Sequence, residues 1–248
     1  MKLSPKLIRL FLVLIICVVS TSSSFGQQVL EYSAHYQATA NGIAATAQRS
    51  LTKLSDYSFR LTNRLQASIA GQTLATLEQS SEFEFVDDTV KPSIYSYVLT
   101  GISKAANAIA YNWDAQIALS TEDEKSWQLP LSSGVMDQLS YQFALRQFLI
   151  SGNTASDVEF QVIDGDEIEL HRYRIAGDAL LSTPLGNLNT VKLERLRDTA
   201  DGRTTTIWLA VDWDFLLARI EQVNRSGLKI ELQLESALVG GVNVSALK

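Results

Sequence analysis

The sequence has almost no cysteine, and this lack excludes the usual chemistry of protein sulfur. Cys17 is the only cysteine among 248 residues, so the chain can form no internal disulfide and no thiolate metal site. Histidine is nearly as rare. Neither His35 nor His171 has a second histidine or a carboxylate at metal-ligand spacing, and both are expected to be ordinary sheet histidines. The sequence therefore predicts no metal and no other cofactor.

Several motifs of nucleotide and hydrolase chemistry are also absent. The chain has no Walker A motif, no GxGxxG fingerprint and no GxSxG elbow. Acidic residues outnumber basic ones, which gives a net charge of −6. An acidic surface repels the phosphates of nucleic acids. We therefore expect no nucleic acid partner.

The first 26 residues are typical of an export signal. They combine a positively charged start, a short apolar run and small residues before a cleavage point: Lys2, Lys6 and Arg9, then Leu10–Val19, then Ser24-Phe25-Gly26. The apolar run is too short to span a bilayer. We expect cleavage after Gly26 and no transmembrane segment thereafter, which predicts an exported, periplasmic protein of a Gram-negative cell envelope.

The remaining residues, 27–248, are expected to form a single β-rich periplasmic domain. Lipidation of Cys17 is disfavoured because Ile16 precedes it, where that modification requires a small residue. Removal of the signal deletes Cys17 and deepens the negative charge. Hydrophobic residues make up 46% of the chain, enough to build one sizeable core.

Polar and apolar residues alternate with a period of two along most of this domain, as in half-buried antiparallel strands. The stretches 30–39, 57–69 and 107–119 each follow this pattern. Further strands are predicted at Val158–Ile163, Glu167–Ala176, Leu188–Arg197, Thr204–Val211, Phe215–Val223 and Leu228–Leu238, separated by turn residues. The pattern predicts a mainly β fold with a strongly curved antiparallel sheet, as a half-barrel or barrel-like meander.

One segment, Met136–Ser151, has helical spacing instead, with Asp137 as a candidate N-cap and Gly152 as the stop. Its apolar residues form two opposite faces, with polar residues in the seams between them. A surface helix needs only one apolar face. The segment is therefore predicted to be a central helix that is buried on both sides, either completing the core or covering a cavity.

Candidate functional residues are few. Tyr111, Trp113, Phe143 and Trp208 could line an apolar pocket, although a β core uses the same residue types for packing. Asp212 and Asp214 flank Trp213 and could serve as the two carboxylates of a glycan hydrolase, although turns also favour aspartate. Arg195 and Arg197 share one strand face and are expected to pair with carboxylates on a neighbouring strand, such as Glu221, or with Asp137 at the helix start; the alternative is an anion-binding patch.

From about residue 92 onward, the sequence resembles a family of exported bacterial proteins catalogued as domain of unknown function 3108. The matching pieces are Tyr95-Ser96-Tyr97, Gly101-Ile102-Ser103-Lys104, Asp137-Gln138-Leu139-Ser140-Tyr141-Gln142, Thr183-Pro184-Leu185-Gly186, Arg195 with Arg197, Trp208-Leu209-Ala210 and Arg219-Ile220-Glu221-Gln222. The resemblance implies a β-rich fold and a periplasmic or outer-membrane-facing setting, and it implies no reaction.

Three functions are consistent with these features. The preferred one is a noncatalytic envelope protein that binds an apolar small molecule or lipid in a cavity of the curved sheet. That architecture is similar to lipoprotein carriers, in which a half-barrel encloses an apolar cavity covered by helices. The alternatives are a periplasmic carboxylate-dependent hydrolase acting on glycan, and a structural module that binds partners through an exposed strand edge.

Overall fold

A computed structural model describes residues 28–153, 155–197, 203–223, 227 and 229–247. The predicted signal, with Cys17 and the cleavage point after Gly26, lies outside the described residues. The strands are β1 Tyr32–Ala40, β2 Ile43–Lys53, β3 Ser58–Ile69, β4 Gln72–Val86, β5 Thr89–Gly101, β6 Ala105–Asn112, β7 Ile117–Glu122, β8 Lys125–Pro130, β9 Val135–Met136, β10 Asp157–Asp164, β11 Glu167–Thr183, β12 Gly186–Leu196, β13 Thr204–Ala210, β14 Leu216–Val223, β15 Lys229–Val239 and β16 Val242–Asn243. The helix α1 spans Ser140–Ile150, and a short 3-10 turn covers Val211–Trp213.

The strands form one large, curved sheet made of two meanders. Strands β1 to β8 follow one another across the sheet in chain order, and β10 to β15 do the same from the opposite side. The two meanders join where β1 pairs antiparallel with β15, in the middle of the sheet. In the part of the chain that the structure describes, the edge strands β8 and β9 do not pair with each other, so the curved sheet is not closed. The predicted fold class is confirmed.

The alternation of side chains gives the sheet a buried inner face and a solvated outer face. In β1, Tyr32, Ala34 and Tyr36 are buried, whereas Ser33 and His35 are exposed. Opposite residues of neighbouring strands stand in rows across the inner face. The predicted strand over residues 107–119 is wrong in one respect, because the chain turns after β6 and the side chains of Ile117 and Leu119 are exposed in β7.

The helix is shorter than predicted because its first turn is replaced by a turn built around Asp137. One carboxylate oxygen of Asp137 accepts hydrogen bonds from the backbone N–H groups of Leu139 and Ser140, and the other accepts one from the hydroxyl of Ser81 on β4. This carboxylate therefore satisfies N–H groups at the helix start and fastens that end to the sheet. Gly152 lies just beyond the helix, as predicted, with a positive φ of 71°.

Both sides of α1 are buried, as its two apolar faces predict. Phe143 packs against Phe59 and Phe83 of the first meander, whereas Tyr141 packs against Phe160 and Tyr173 of the second. The helix therefore lies inside the curved sheet, between its two halves. No helix in the described ranges is both long and apolar enough to cross a membrane.

Candidate ligand-binding cavity

A cavity of about 570 Å³ lies between α1 and the inner face of the sheet. The helix contributes one wall through Tyr141, Gln142, Leu145 and Arg146, and strands of both meanders contribute the rest. This volume lies within the range of about 300–1,000 Å³ that is usual for small-molecule pockets. The predicted central helix therefore borders a cavity.

One part of the wall is apolar. Leu65 and Leu77 stand opposite each other on β3 and β4, and Ile220 and Leu232 stand opposite each other on β14 and β15. All four point inward and line the cavity, yet all are only half-buried. Inward-facing side chains of a well-packed core would be covered completely. Their partial exposure shows that side chains do not fill this space.

Next to the apolar wall runs a row of polar residues that includes Arg49, Asn63 and Gln79, opposite one another on β2, β3 and β4. Arg49 donates hydrogen bonds to the hydroxyl of Tyr32 (2.9 Å), the amide oxygen of Asn63 (3.1 Å) and the amide oxygen of Gln142 on α1 (2.8 Å). These partners are all neutral. A guanidinium group that is 91% buried is thus held by dipoles rather than by a carboxylate among the described residues.

Arg146, one helical turn after Gln142, brings a second guanidinium to the same place. Its carbon Cζ lies 5.0 Å from the centre of the Tyr32 ring, and Nε donates a hydrogen bond to the backbone oxygen of Asp214. The Asp214 carboxylate is 3.9 Å from Nη2, at the limit of an ion pair, and is partly exposed. Burial lowers the pKa of Arg146, and the nearby charge of Arg49 also lowers it.

Several buried polar atoms around the cavity have no hydrogen-bond partner within the described ranges. They include Arg146 Nη1, the Tyr36 hydroxyl, the Thr205 hydroxyl and His171 Nδ1. Among the described residues, the lining is also rich in positive charge, with five arginines on the inner face against two acidic residues: Arg49, Arg146, Arg195, Arg197 and Arg203, against Asp164 and Glu169. A chain whose net charge is negative therefore gathers positive charge around its interior cavity.

A second polar cluster lines the cavity on the side of β11 and β12. Glu169 lies 3.3 Å from Arg195 and 3.2 Å from His171. Burial and the positive charge of Arg195 lower the pKa of His171 to about 4, although the hydrogen bond that His171 donates to the Glu169 carboxylate acts in the opposite direction. Arg195 pairs with a carboxylate on a neighbouring strand, as predicted, but the residues suggested for this role are wrong, because Glu221 pairs with Arg219, and Asp137 binds Ser81 and the start of α1. Glu169, on the strand next to Arg195, takes their place.

The four aromatic residues predicted to line a pocket are not brought together. Phe143 lines the cavity. Tyr111 and Trp113 stack on each other at 5.9 Å in another part of the interior, where the Trp113 indole donates a hydrogen bond to the backbone oxygen of Pro92. Trp208 is half-buried, and its ring contacts the charged ends of Lys192 and Arg219.

Asp212 and Asp214 also have separate surroundings. The exposed Asp212 accepts a hydrogen bond from the side chain of Asn189, and Asp214 faces Arg146 in a left-handed backbone conformation. Neither lines the cavity. Among the described residues, no three His, Cys, Asp or Glu side chains are grouped as metal ligands.

Arg49 and Arg146 were not among the predicted site residues, although the sequence contains a signal for each. Arg49 occupies an inward position of β2, between the buried Ala47 and Leu51. Arg146 follows Gln142 by four residues in a seam of the two-faced helix, so both side chains point the same way. A charged residue at a position that the pattern assigns to the interior indicates a buried polar site.

Comparison with known proteins supports the fold and the family. The chain is similar to a crystal structure described as a beta-barrel-like protein of domain of unknown function DUF1849 from Brucella abortus, with a TM-score of 0.53 and 9% identity, over 86% of this chain and 98% of that one. No curated protein matches the chain. The family model described as protein of unknown function (DUF3108) matches residues 31–233. This chain therefore belongs to the DUF3108 family.

Proposed function

We propose that this protein is a noncatalytic binding protein of the cell envelope that holds an amphipathic, lipid-like molecule in the cavity beneath α1. One observation carries the proposal: an interior cavity whose apolar wall is left uncovered by side chains. Exposed apolar surface is unfavourable in water, and an apolar ligand that covers it removes that cost.

The arrangement of the lining supports a molecule with two chemically different ends. Half-buried leucine and isoleucine side chains line one part of the cavity, and the polar residues around Arg49 line another. A uniformly apolar ligand would leave the polar part without partners, and a small polar ligand would leave the apolar part in contact with water. The export signal, as an expectation from the sequence, would place this activity in the periplasm.

The strand edges give less support to the alternative of a module that binds partners by strand pairing. The edge strand β8 contains Lys125 and ends in Pro130. Lysine and proline at a sheet edge hinder pairing with a further strand. For this reason we favour the interior cavity over the edge as the site of function.

Native mass spectrometry of the protein purified without detergent tests the proposal directly. We expect a co-purifying lipid-like molecule in part of the population. We also expect the neutral apolar fluorophore N-phenyl-1-naphthylamine to bind saturably and in competition with that molecule. Protein that carries nothing and that fails to bind the fluorophore would contradict the proposal.

A pair of variants on β4 locates the site. Leu77→Trp extends a half-buried, inward side chain into the cavity, whereas Thr76→Trp places the same ring on the outer face of the same strand. We expect Leu77→Trp to weaken fluorophore binding by about tenfold or more, because the indole occupies ligand space, and Thr76→Trp to leave it unchanged. Equal binding by both variants would show that the fluorophore binds elsewhere.

A further inference from the structure

Within the described ranges, the two buried arginines of the cavity share a single carboxylate at ion-pair distance, that of the partly exposed Asp214. Among the residues that the structure describes, the hydrogen bonds of Arg49 go to neutral side chains, those of Tyr32, Asn63 and Gln142. Arg146 has one carboxylate at 3.9 Å, and its Nη1 has no partner. Both residues are more than nine-tenths buried and line the cavity. Buried charges are normally paired, because an unpaired charge in a protein interior is costly.

From this imbalance we infer that the ligand is an acidic amphiphile, whose carboxylate is held between Arg49 and Arg146 and whose apolar chain lies along the leucine and isoleucine wall. This inference rests on the proposed function and adds the chemistry of the headgroup. A guanidinium group offers its N–H donors in a planar fork that matches the two oxygens of a carboxylate. The Tyr36 hydroxyl, also without a partner in the described part, supplies a further donor.

The order of residues along the strands sets the direction of the ligand. Beyond the row of Arg49 comes the row of Leu65 and Leu77. After it comes a row of small residues near the β1–β2 and β3–β4 hairpins, consisting of Ala38, Ala45, Ala67 and Ala75. Small side chains leave room for a chain to pass. The carboxylate is therefore the deep end of the ligand, and the apolar chain extends toward these hairpins.

The second polar cluster is a weaker place for an acidic headgroup. Glu169 already lies within ion-pair distance of Arg195 and within hydrogen-bond distance of His171. A ligand carboxylate at that position would stand next to an existing negative charge, which repels it. The pair of Arg49 and Arg146 lacks such a close carboxylate and is the better anion site.

The inference is tested with two ligands that share one chain and differ in the head. Hexadecanoate and hexadecan-1-ol are titrated against the full exported chain, with displacement of N-phenyl-1-naphthylamine as the readout. We expect hexadecanoate to bind about 10- to 100-fold more tightly, as a charge-assisted hydrogen-bonded pair would give. Equal affinities would overturn the headgroup assignment and keep the proposed function, whereas binding of neither would overturn both.

Substitutions then assign the preference to residues. Arg146→Gln and Arg49→Gln should each reduce hexadecanoate affinity about tenfold or more and leave hexadecan-1-ol affinity nearly unchanged. The matched control is Arg60→Gln, which removes an arginine from the outer face of β3. If both cavity variants keep the wild-type preference for the acid, the carboxylate is held elsewhere and the inference is wrong.

Two further measurements stay informative even if a cavity variant folds poorly. Hexadecanoate labelled with carbon-13 at the carboxyl group should show a bound carboxyl pKa well below that of the same acid in detergent micelles, since two guanidinium groups favour the ionised form. Acetate and inorganic phosphate, without a chain, should not displace the fluorophore at millimolar concentration. A bound carboxyl that titrates as in micelles, or displacement by either small anion, would contradict an amphiphile held at this site.

Discussion

The two sides of α1 are both buried and both aromatic, yet they differ in chemistry. Toward the first meander, Phe143 lies 4.7 Å from Phe83 and 5.2 Å from Phe85 between ring centres, and the cluster contains no polar atom. Toward the second meander, Tyr141 contacts His171 at 5.0 Å, and its hydroxyl lies 2.9 Å from that of Tyr173. The aromatic cluster of the first side contributes packing alone, whereas that of the second side adds hydrogen bonds and a titratable group.

This difference has a consequence for how each side responds to change. The stability that an apolar cluster contributes depends on how completely its side chains fill the space, and it does not change with pH. The stability contributed by a buried cluster with hydroxyl groups and an imidazole depends on the presence of every hydrogen-bond partner and on the protonation state of the imidazole. Substitutions and changes of pH should therefore affect the stability of the two sides of the helix differently.

The largest effect is expected from Phe143→Ala. Removal of a ring that packs among Phe59, Phe83 and Phe85 should lower the free energy of unfolding by about 3–5 kcal/mol, through lost burial and the space left behind. Urea denaturation followed by circular dichroism measures it. Phe143→Leu should lower the free energy of unfolding clearly less. An equal decrease for both variants would indicate that ring packing does not stabilise the helix on this side.

The pH dependence of stability should be set largely by His171 between pH 7 and 5. The pKa of His171 is about 4 in the folded chain and about 6.5 when unfolded, so the unfolded chain takes up a proton first as the pH falls. The contribution of neutral His171 to the free energy of unfolding is fully present above pH 6.5. It declines as the pH falls toward 4, by about 3 kcal/mol in total.

Unfolding free energies of His171→Gln, measured over the same range, should vary less with pH than those of the wild type. His35→Gln serves as the control, because His35 is exposed on the outer face of β1. Unchanged pH dependence in His171→Gln would assign the decline to other groups. Asp137 would not be one of them, because burial raises its pKa in the folded chain and its protonation therefore has the opposite effect on stability.

A smaller effect is expected from Tyr141→Phe, about 1–2 kcal/mol in the free energy of unfolding. The substitution leaves the buried Tyr173 hydroxyl without the partner that it has at 2.9 Å. The double variant with Tyr173→Phe should recover part of the loss, because no hydroxyl then remains unsatisfied. A double-mutant cycle by thermal denaturation measures this coupling, and strictly additive losses would argue against the hydrogen bond.

The smallest effect is expected for a substitution on the outer face. Arg60→Gln should lower the free energy of unfolding by less than about 0.5 kcal/mol. The ion pair of Arg60 with Glu82 is short, at 2.6 Å, but both side chains are partly exposed to solvent. Thermal denaturation at low and high salt checks the prediction. A loss comparable to that of Tyr141→Phe would show that this outer-face pair is coupled to the interior.

Much of the fold could be predicted from local patterns. Period-two alternation revealed most strands, and the two apolar faces of the helical segment placed that helix between two walls. Both features depend on neighbouring residues alone. The start of α1 was placed wrongly because Asp137 bonds to Ser81, which is distant in sequence, and the turn there replaces the first helical residues.

The cavity could not be predicted in the same way. Its polar row joins Arg49, Asn63 and Gln142 from three elements, and no spacing in the sequence links them. Aromatic residues were predicted to line a pocket because they are large and few. Trp113 and Trp208, however, contact other residues outside the cavity. To predict the partner of Arg195, the register of the neighbouring strand must be known. A shift of that register by one residue moves every side chain of the strand to the opposite face of the sheet.

The pairing of β1 with β15 also bears on how the chain reaches its fold. Gln37 and Glu235 are hydrogen-bonded across this pairing although they are 198 positions apart in sequence. Each meander consists of neighbouring hairpins and can form quickly, whereas this central contact requires closure of nearly the whole chain. The middle of the sheet is then expected to assemble late, and until it does, each half exposes an unpaired edge to chaperones and to aggregation.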